Sequence, residues 1–387
     1  MEFNCRTTYS FCTHHRGCKK ITSTLRLLFA LFVVFDHSYY LSGAPACEYE
    51  WMCRYTSDTR ALSFIGLKGF FAISGFLIFN SIQKTDSLTT FYWKRILRIF
   101  PALIVVTLLT VLLAPFVYQN NQVGYWHNKG VWQYFVGNIS IFTRRVKIEG
   151  VFENNPYKQF INGSLWTIKY EVLMYVLFSG LFFFRKNSTA TKSILIIFFI
   201  VLSAANVFYF LRPQRTYEIL ELPILAEVGC YFVCGSLLAC FKIDKSRYRK
   251  TFLLIAVGVL VLLPIIASFD HFWVLLGTHI FLSTAIICIG SGSTKIINSI
   301  EERIGDLSYG VYIYSFPIQQ TLVYYFGLNP YQLMISAAAI AVCCGLFSWH
   351  VVEKKALQLK NIQPLEYLRQ LFLFTQRAEK VREKKVG

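Results

Sequence analysis

The chain has 387 residues, of which 55% are hydrophobic and only 16% charged, with a net charge of +18. Soluble proteins carry about 25% charged residues, so this composition excludes a soluble enzyme, a disordered chain and a disulfide-stapled secreted module. It predicts an all-α fold, a polytopic membrane bundle, and the basic excess is read first as a topology signal rather than as a nucleic-acid surface.

In chain order, a basic N-terminal arm (1–24) precedes ten apolar stretches long enough to span hydrocarbon. They cover 25–41, 62–82, 100–118, 164–184, 192–211, 222–241, 251–269, 272–290, 307–326 and 331–352. All are too long and too uniformly apolar for barrel strands. The run 25–41 continues into the bundle rather than into a small-residue cleavage site, so no cleavable signal peptide is expected. Between the third and fourth spans lies the one sizeable loop, 119–163, polar and aromatic (Trp126, Trp132, Tyr134, Tyr157). It is expected on the membrane surface or over a cavity. Phe269-Asp270-His271 makes a tight hairpin between the seventh and eighth spans. The tail 353–387 alternates basic and apolar residues (Leu365, Leu368, Leu371, Phe372) and reads as a basic amphipathic helix.

With the N-terminus in the cytoplasm, 28 of the 39 Lys and Arg fall on the inner side and 9 on the outer, with Lys68 and Lys169 inside spans. That bias and an even number of spans place both termini in the cytoplasm. Of the 11 Cys, the six in spans are expected as packing residues. Cys47 and Cys53 share an outer loop, where a disulfide is open to them. Cys5, Cys12 and Cys18 lie near His14 and His15 in no recognised zinc spacing, so no metal is expected.

Charged groups within a bilayer are costly and usually functional. Arg26 and His37 are eleven residues apart, about three helical turns, so they share one face of the first span roughly 16 Å apart. Arg26 alone reads as an inner-edge charge that snorkels to the surface. His37, beside Asp36, suits general-base work near neutral pH. In the second span, Gly69, Ser74 and Gly75 provide small-residue surface for close helix approach. Arg95 and Arg98 are three residues apart on one face at the inner surface. They anchor the helix by charge or clamp phosphates. In the fourth span, Glu171 lies at a depth similar to that of His37, and the two are expected to meet in an outward cavity. Lys169 is on a different face from Glu171, so Glu171 needs another partner, His37 or an arginine.

Together these segments resemble the acyltransferase-3 family of integral membrane acyltransferases, over about Arg26 to His350. Arg26 to His37 is similar to its Arg-x10-His element, with Asp36 in the Asp-His form. Phe70-Phe71-Ala-Ile-Ser74-Gly75-Phe76-Leu77, Lys94-Arg95-Ile-Leu-Arg98-Ile-Phe-Pro101 and Ser164-Leu-Trp166-Thr167-Ile-Lys-Tyr-Glu171 resemble three further family stretches in the same order. A fifth, Leu307 to Pro317, departs from the pattern. Ser315 stands where many members have His, which moves the catalytic weight onto His37.

The resemblance implies O-acyl transfer, usually of acetyl, from cytoplasmic acetyl-CoA to a hydroxyl of a surface polysaccharide or its lipid-linked precursor. It implies the stand-alone form, with 25–352 as the acyltransferase domain, in the bacterial inner membrane. On that reading Arg26, Arg95 and Arg98 receive the CoA phosphates, and the pantetheine arm runs along the first span. His37 deprotonates the sugar hydroxyl, oriented by Asp36 or Glu171, or else it carries the acyl group transiently. Ser74 packs beside the tunnel and Trp166 shapes the acceptor cavity. The expected partners are the lipid bilayer, acyl-CoA and a glycan, with no nucleic acid. The competing expectation is a transporter of a glycan or acyl compound using His37 and Glu171 as a proton relay.

Overall fold

The computed structural model describes residues 16–44, 62–120, 122–141, 143, 145–211, 222–267, 271–292 and 303–362. Its principal helices are α1 (Arg16–Leu41), α2 (Leu62–Lys84), α3 (Leu88–Leu113), α4 (Lys129–Ser140), α5 (Ile168–Ser179) and α6 (Leu181–Phe184). They continue with α7 (Ser188–Leu211), α8 (Leu222–Cys240), α9 (Arg249–Ala267), α10 (His271–Gly290), α11 (Ser308–Phe326), α12 (Pro330–Ser348) and α13 (Lys354–Gln358). Each predicted apolar segment is helical over most of its described length. Eight helical stretches are long and apolar enough to cross a membrane. α9 and α11, with 19 residues each, fall outside those eight. In α11 the cause is visible in the sequence: two serines, two glutamines and five tyrosines lower its hydropathy. The fold is thus an all-α, polytopic bundle. Among the described residues the only β pairing is two isolated bridges, Tyr118 with Val151 and Lys147 with Phe160.

α2 and α8 cross at bare backbone. A Cβ on Gly75 would collide with the Phe232 carbonyl, and one on Gly235 with the Ala72 carbonyl. Ser236 Oγ donates to the Gly75 carbonyl (2.9 Å) across the same contact. This is the small-residue packing expected for Gly75, since lipid offers no hydrophobic drive for helix pairing. Lys68, buried on α2, pairs with Glu227 of α8 at 2.7 Å, which satisfies a charge that would otherwise be costly inside the bundle.

α1 and α11 run side by side in the same direction. Arg26 meets Asp306, His37 meets Phe316, and Gln319 Nε2 donates to both the Val34 carbonyl and Ser38 Oγ at 2.8 Å. This fixes the register of the two helices on which the site is built.

The segment expected as a loop over 119–163 carries structure of its own. Asn128 caps α4 by accepting from Gly130 N (2.8 Å), and Val131 and Tyr134, three apart, enter a small second core with Ile148 and Val151. Gly130 and the short length hid this helix, and its apolar face is covered from both sides in sequence, by Val111, Ala114 and Val117 before it and by Ile148 and Val151 after it. At the other end, α12 passes through a π turn, Trp349–Glu353, into α13. Glu353, where the tail was expected to begin, is buried. The arm up to residue 15, the tail from 363, and Cys5, Cys12, Cys47 and Cys53 lie outside the described residues.

Candidate functional site

A cluster of charges closes one end of the α1, α3, α11 and α12 bundle. Asp306 precedes α11, with Oδ1 accepting from Ser308 N (3.3 Å) and Ser308 Oγ (2.6 Å). Its other oxygen takes Arg26 Nη1 at 2.9 Å and Arg98 Nη2 at 2.7 Å. Burial pushes the Asp306 carboxyl up, but the two guanidinium groups outweigh it and hold the group at about 2. Arg98 also reaches Glu353 Oε2 (3.3 Å), whose other oxygen accepts from Ser348 Oγ (3.0 Å). The π turn re-aims Glu353 inward, as such bulges often do at functional positions. Arg98 lies over the Tyr309 and Trp349 rings, and Arg26 over Phe70.

Arg95 diverges from Arg98. Its Nη2 donates to Ser81 Oγ (3.1 Å), and its guanidinium lies over Phe91 and Tyr175. The Nε atoms of Arg26 and Arg95 are buried with no hydrogen-bond partner among the described residues. Two strong donors are therefore uncommitted at this end.

From Arg26 a narrow cavity of about 40 Å³ runs between α2, α5 and α11, past Phe70, Ser74 and Glu171 to Thr167 and Tyr312. Glu171 accepts from Ser74 Oγ (3.3 Å) and from the Tyr175 hydroxyl, one helical turn on. These are its hydrogen-bond partners; His37 is not among them, while Arg95 and Arg98 lie within electrostatic reach of Glu171. The Tyr312 and Thr167 hydroxyls are bonded to each other (2.8 Å) at the far end.

His37 does not line this cavity. Its ring stands edge-on to Phe316, with centroids 5.4 Å apart, one turn beyond Tyr312 on α11. Its Nδ1 is buried without a hydrogen-bond partner among the described residues, as are Ser164 Oγ and Gln319 Oε1. Asp36 is buried beside it. Ser315, in the position that departs from the family pattern, is buried and donates to the Tyr312 carbonyl (3.1 Å). Trp166 sits against Tyr170 and lines a separate small void with Lys169 and Asn138.

Asp306 and Glu353 were not read from the sequence, and Tyr175 and Tyr312 were given no role by it. Asp306 and Glu353 lie in segments read as a loop and a tail, and their arginines are 208 to 280 residues away along the chain. The one sequence signal was Asp306 two residues ahead of Ser308, the spacing of a turn in which an Asp side chain accepts from the backbone two residues on.

A family model described as an acyltransferase domain matches residues 23–349. The chain is 27% identical over 336 residues to the O-acetyl transferase of Shigella phage Sf6, which covers 86% of this chain and 95% of that protein. It is 24% identical over 368 residues to nodulation protein 10 of Rhizobium leguminosarum bv. viciae, covering 90% and 96%. No solved structure matches it. The chain is an acyltransferase of the membrane and belongs to the acyltransferase-3 family.

Proposed function

We propose that the protein moves an acetyl group from cytoplasmic acetyl-CoA to a hydroxyl of a surface polysaccharide or its lipid-linked precursor, in a bacterial inner membrane. The observation that carries this reading is the cavity that starts at Arg26 and ends at Tyr312, one turn of α11 from the Phe316 ring that packs on His37. The uncommitted Nε donors of Arg26 and Arg95 support an anionic donor at that end, since guanidinium groups pair well with phosphate. The roughly 16 Å from Arg26 to His37 suits the reach of a pantetheine arm.

In the reaction the sugar hydroxyl oxygen attacks the thioester carbonyl carbon while a ring nitrogen of His37 takes its proton. The carbon–sulfur bond then breaks, CoA leaves as the thiolate, and it recovers the proton. Glu171, held by Ser74 and Tyr175, balances the arginines along the donor path. Phe316 and the Tyr312–Thr167 contact stand between cavity and His37, so the thioester passes them to react.

His37→Ala in purified protein given acetyl-CoA and base-deacetylated polysaccharide is expected to lower O-acetyl formation at least about 10²-fold. The readout is the O-acetyl NMR signal, and undiminished transfer would remove His37 from the role. Arg98→Ala is expected to raise the KM for acetyl-CoA; an unchanged donor requirement would leave Arg98 as a structural ion-pair residue.

A further inference from the structure

Beyond His37 lies a second, wider space. A cleft of about 590 Å³ opens between the end of α1, the end of α11 and the loop after the second core, within the size range of small-molecule sites. Ser42, Gln119, Asn154, Asn155, Tyr324 and Tyr325 line it, and no charged residue does among the described residues.

Its polar groups are arranged rather than incidental. Asn155 is 2% exposed, and its Nδ2 donates to both the Gln320 carbonyl (2.9 Å) and Gln320 Oε1 (2.8 Å). Its amide nitrogen is thereby committed to Gln320, and its carbonyl oxygen makes none of these bonds. Gln119 Oε1 accepts from Asn154 N (3.3 Å), which leaves the Gln119 amide protons as donors. Tyr324 and Tyr325 stand edge to face at 4.9 Å, and the Tyr325 hydroxyl donates to the Phe116 carbonyl. Neutral amides and hydroxyls beside tyrosine faces match an uncharged polyhydroxylated ligand. A phosphate-bearing lipid headgroup would call for a cation, and none is present in the lining.

The cleft is in line with the base. Ser42 is five residues past His37 on α1, about 7 Å along the axis, and Val323 is seven past Phe316 on α11, about 10 Å. Pro156 packs on Gly43, and the Tyr157 ring lies 6.4 Å from Phe316, so residues 155–157 bridge the cleft and the ring over His37.

We infer that this cleft is an acceptor subsite that holds the sugar residues flanking the one acylated at His37, so that the enzyme selects an oligosaccharide over a single repeat. The inference rests on the glycan acceptor proposed above. The test uses the source bacterium's surface glycan, deacetylated by mild base and sized into one-repeat and four-repeat fragments, with acetyl-CoA and full-length protein in nanodiscs.

The wild type is expected to show a lower KM for the four-repeat fragment. Asn154→Ala and Tyr324→Ala are each expected to reduce that preference about fivefold, the effect of one neutral hydrogen bond. Asn154 is exposed and tolerates truncation, so failure to fold is not the concern there. Acetylation of both fragments with equal KM, or a preference both variants retain, overturns the subsite and leaves the enzyme reading intact. Acetylation of neither fragment by the wild type overturns the glycan reading and the subsite with it.

Discussion

Arg26 and Arg98 share a single oxygen of Asp306, so that carboxylate holds apart two charges that would repel if it were removed. Asp306→Asn keeps the shape but leaves the guanidinium groups facing each other, and removing one partner of a buried pair typically costs about 3–5 kcal/mol. The expected outcome is a lower melting temperature in detergent and reduced accumulation in the membrane. The sign of the pH effect follows from the depressed pKa. Asp306 is held at about 2 against an ordinary 3.8, so its contribution is fully present above about pH 3.8 and lost as pH falls through 2. A melting series should therefore show an acid-side loss in that window that Asp306→Asn lacks. No Asp306 titration should be seen near neutrality.

Among elements, the α2–α8 crossing is the least forgiving. Gly75→Ala sets a methyl group against the Phe232 backbone carbonyl, which cannot rotate away as a side chain can. Overpacking of this kind costs about 1–3 kcal/mol or more, and loss of folded protein is expected by size-exclusion chromatography. Gly258→Ala on α9 is the contrasting case, because a Cβ there meets nothing within 4 Å. Its expected effect is neutral to stabilising, by up to about 1 kcal/mol of helix propensity. If both substitutions behave alike, close backbone approach is not what fixes this helix pair. Ser74, one residue from Gly75, is held at the same crossing and presents its hydroxyl to Glu171, so the packing of α2 on α8 also positions a group in the donor cavity.

At the scale of the whole molecule, the parallel run of α1 and α11 separates an end with Arg26, Arg98 and Asp306 from an end that carries Ser42 and a cleft whose lining is uncharged. The distribution of Lys and Arg predicts that the end with Arg26 faces the cytoplasm. In a cysteine-free background, Ser42→Cys is expected to react with an impermeant maleimide on intact spheroplasts. Lys245→Cys is expected to react only after permeabilisation. The reverse pattern would invert the molecule and place the arginines away from a cytoplasmic donor.

Much of this was legible in the sequence because the signals are local. Twenty-residue apolar runs report spans, basic residues mark loop sides, and Arg26 with His37 at eleven-residue spacing reports one helix face. The motif segments that led to the family are each contiguous. Three things were decided only by the tertiary structure. Asp306 and Glu353 gained their arginines by packing across more than 200 residues, a distance no local pattern spans. α4 formed inside an expected loop because the end of α3 and the residues just after it supply Val111, Ala114 and Val117, and the segment after α4 supplies Ile148 and Val151, as its apolar partners. Glu171 found Ser74 and Tyr175, while His37 was set against Phe316 outside the cavity. Spacing along one helix gives depth and face, but which neighbour fills that face depends on how the other helices rotate about their own axes, and only close packing settles that rotation.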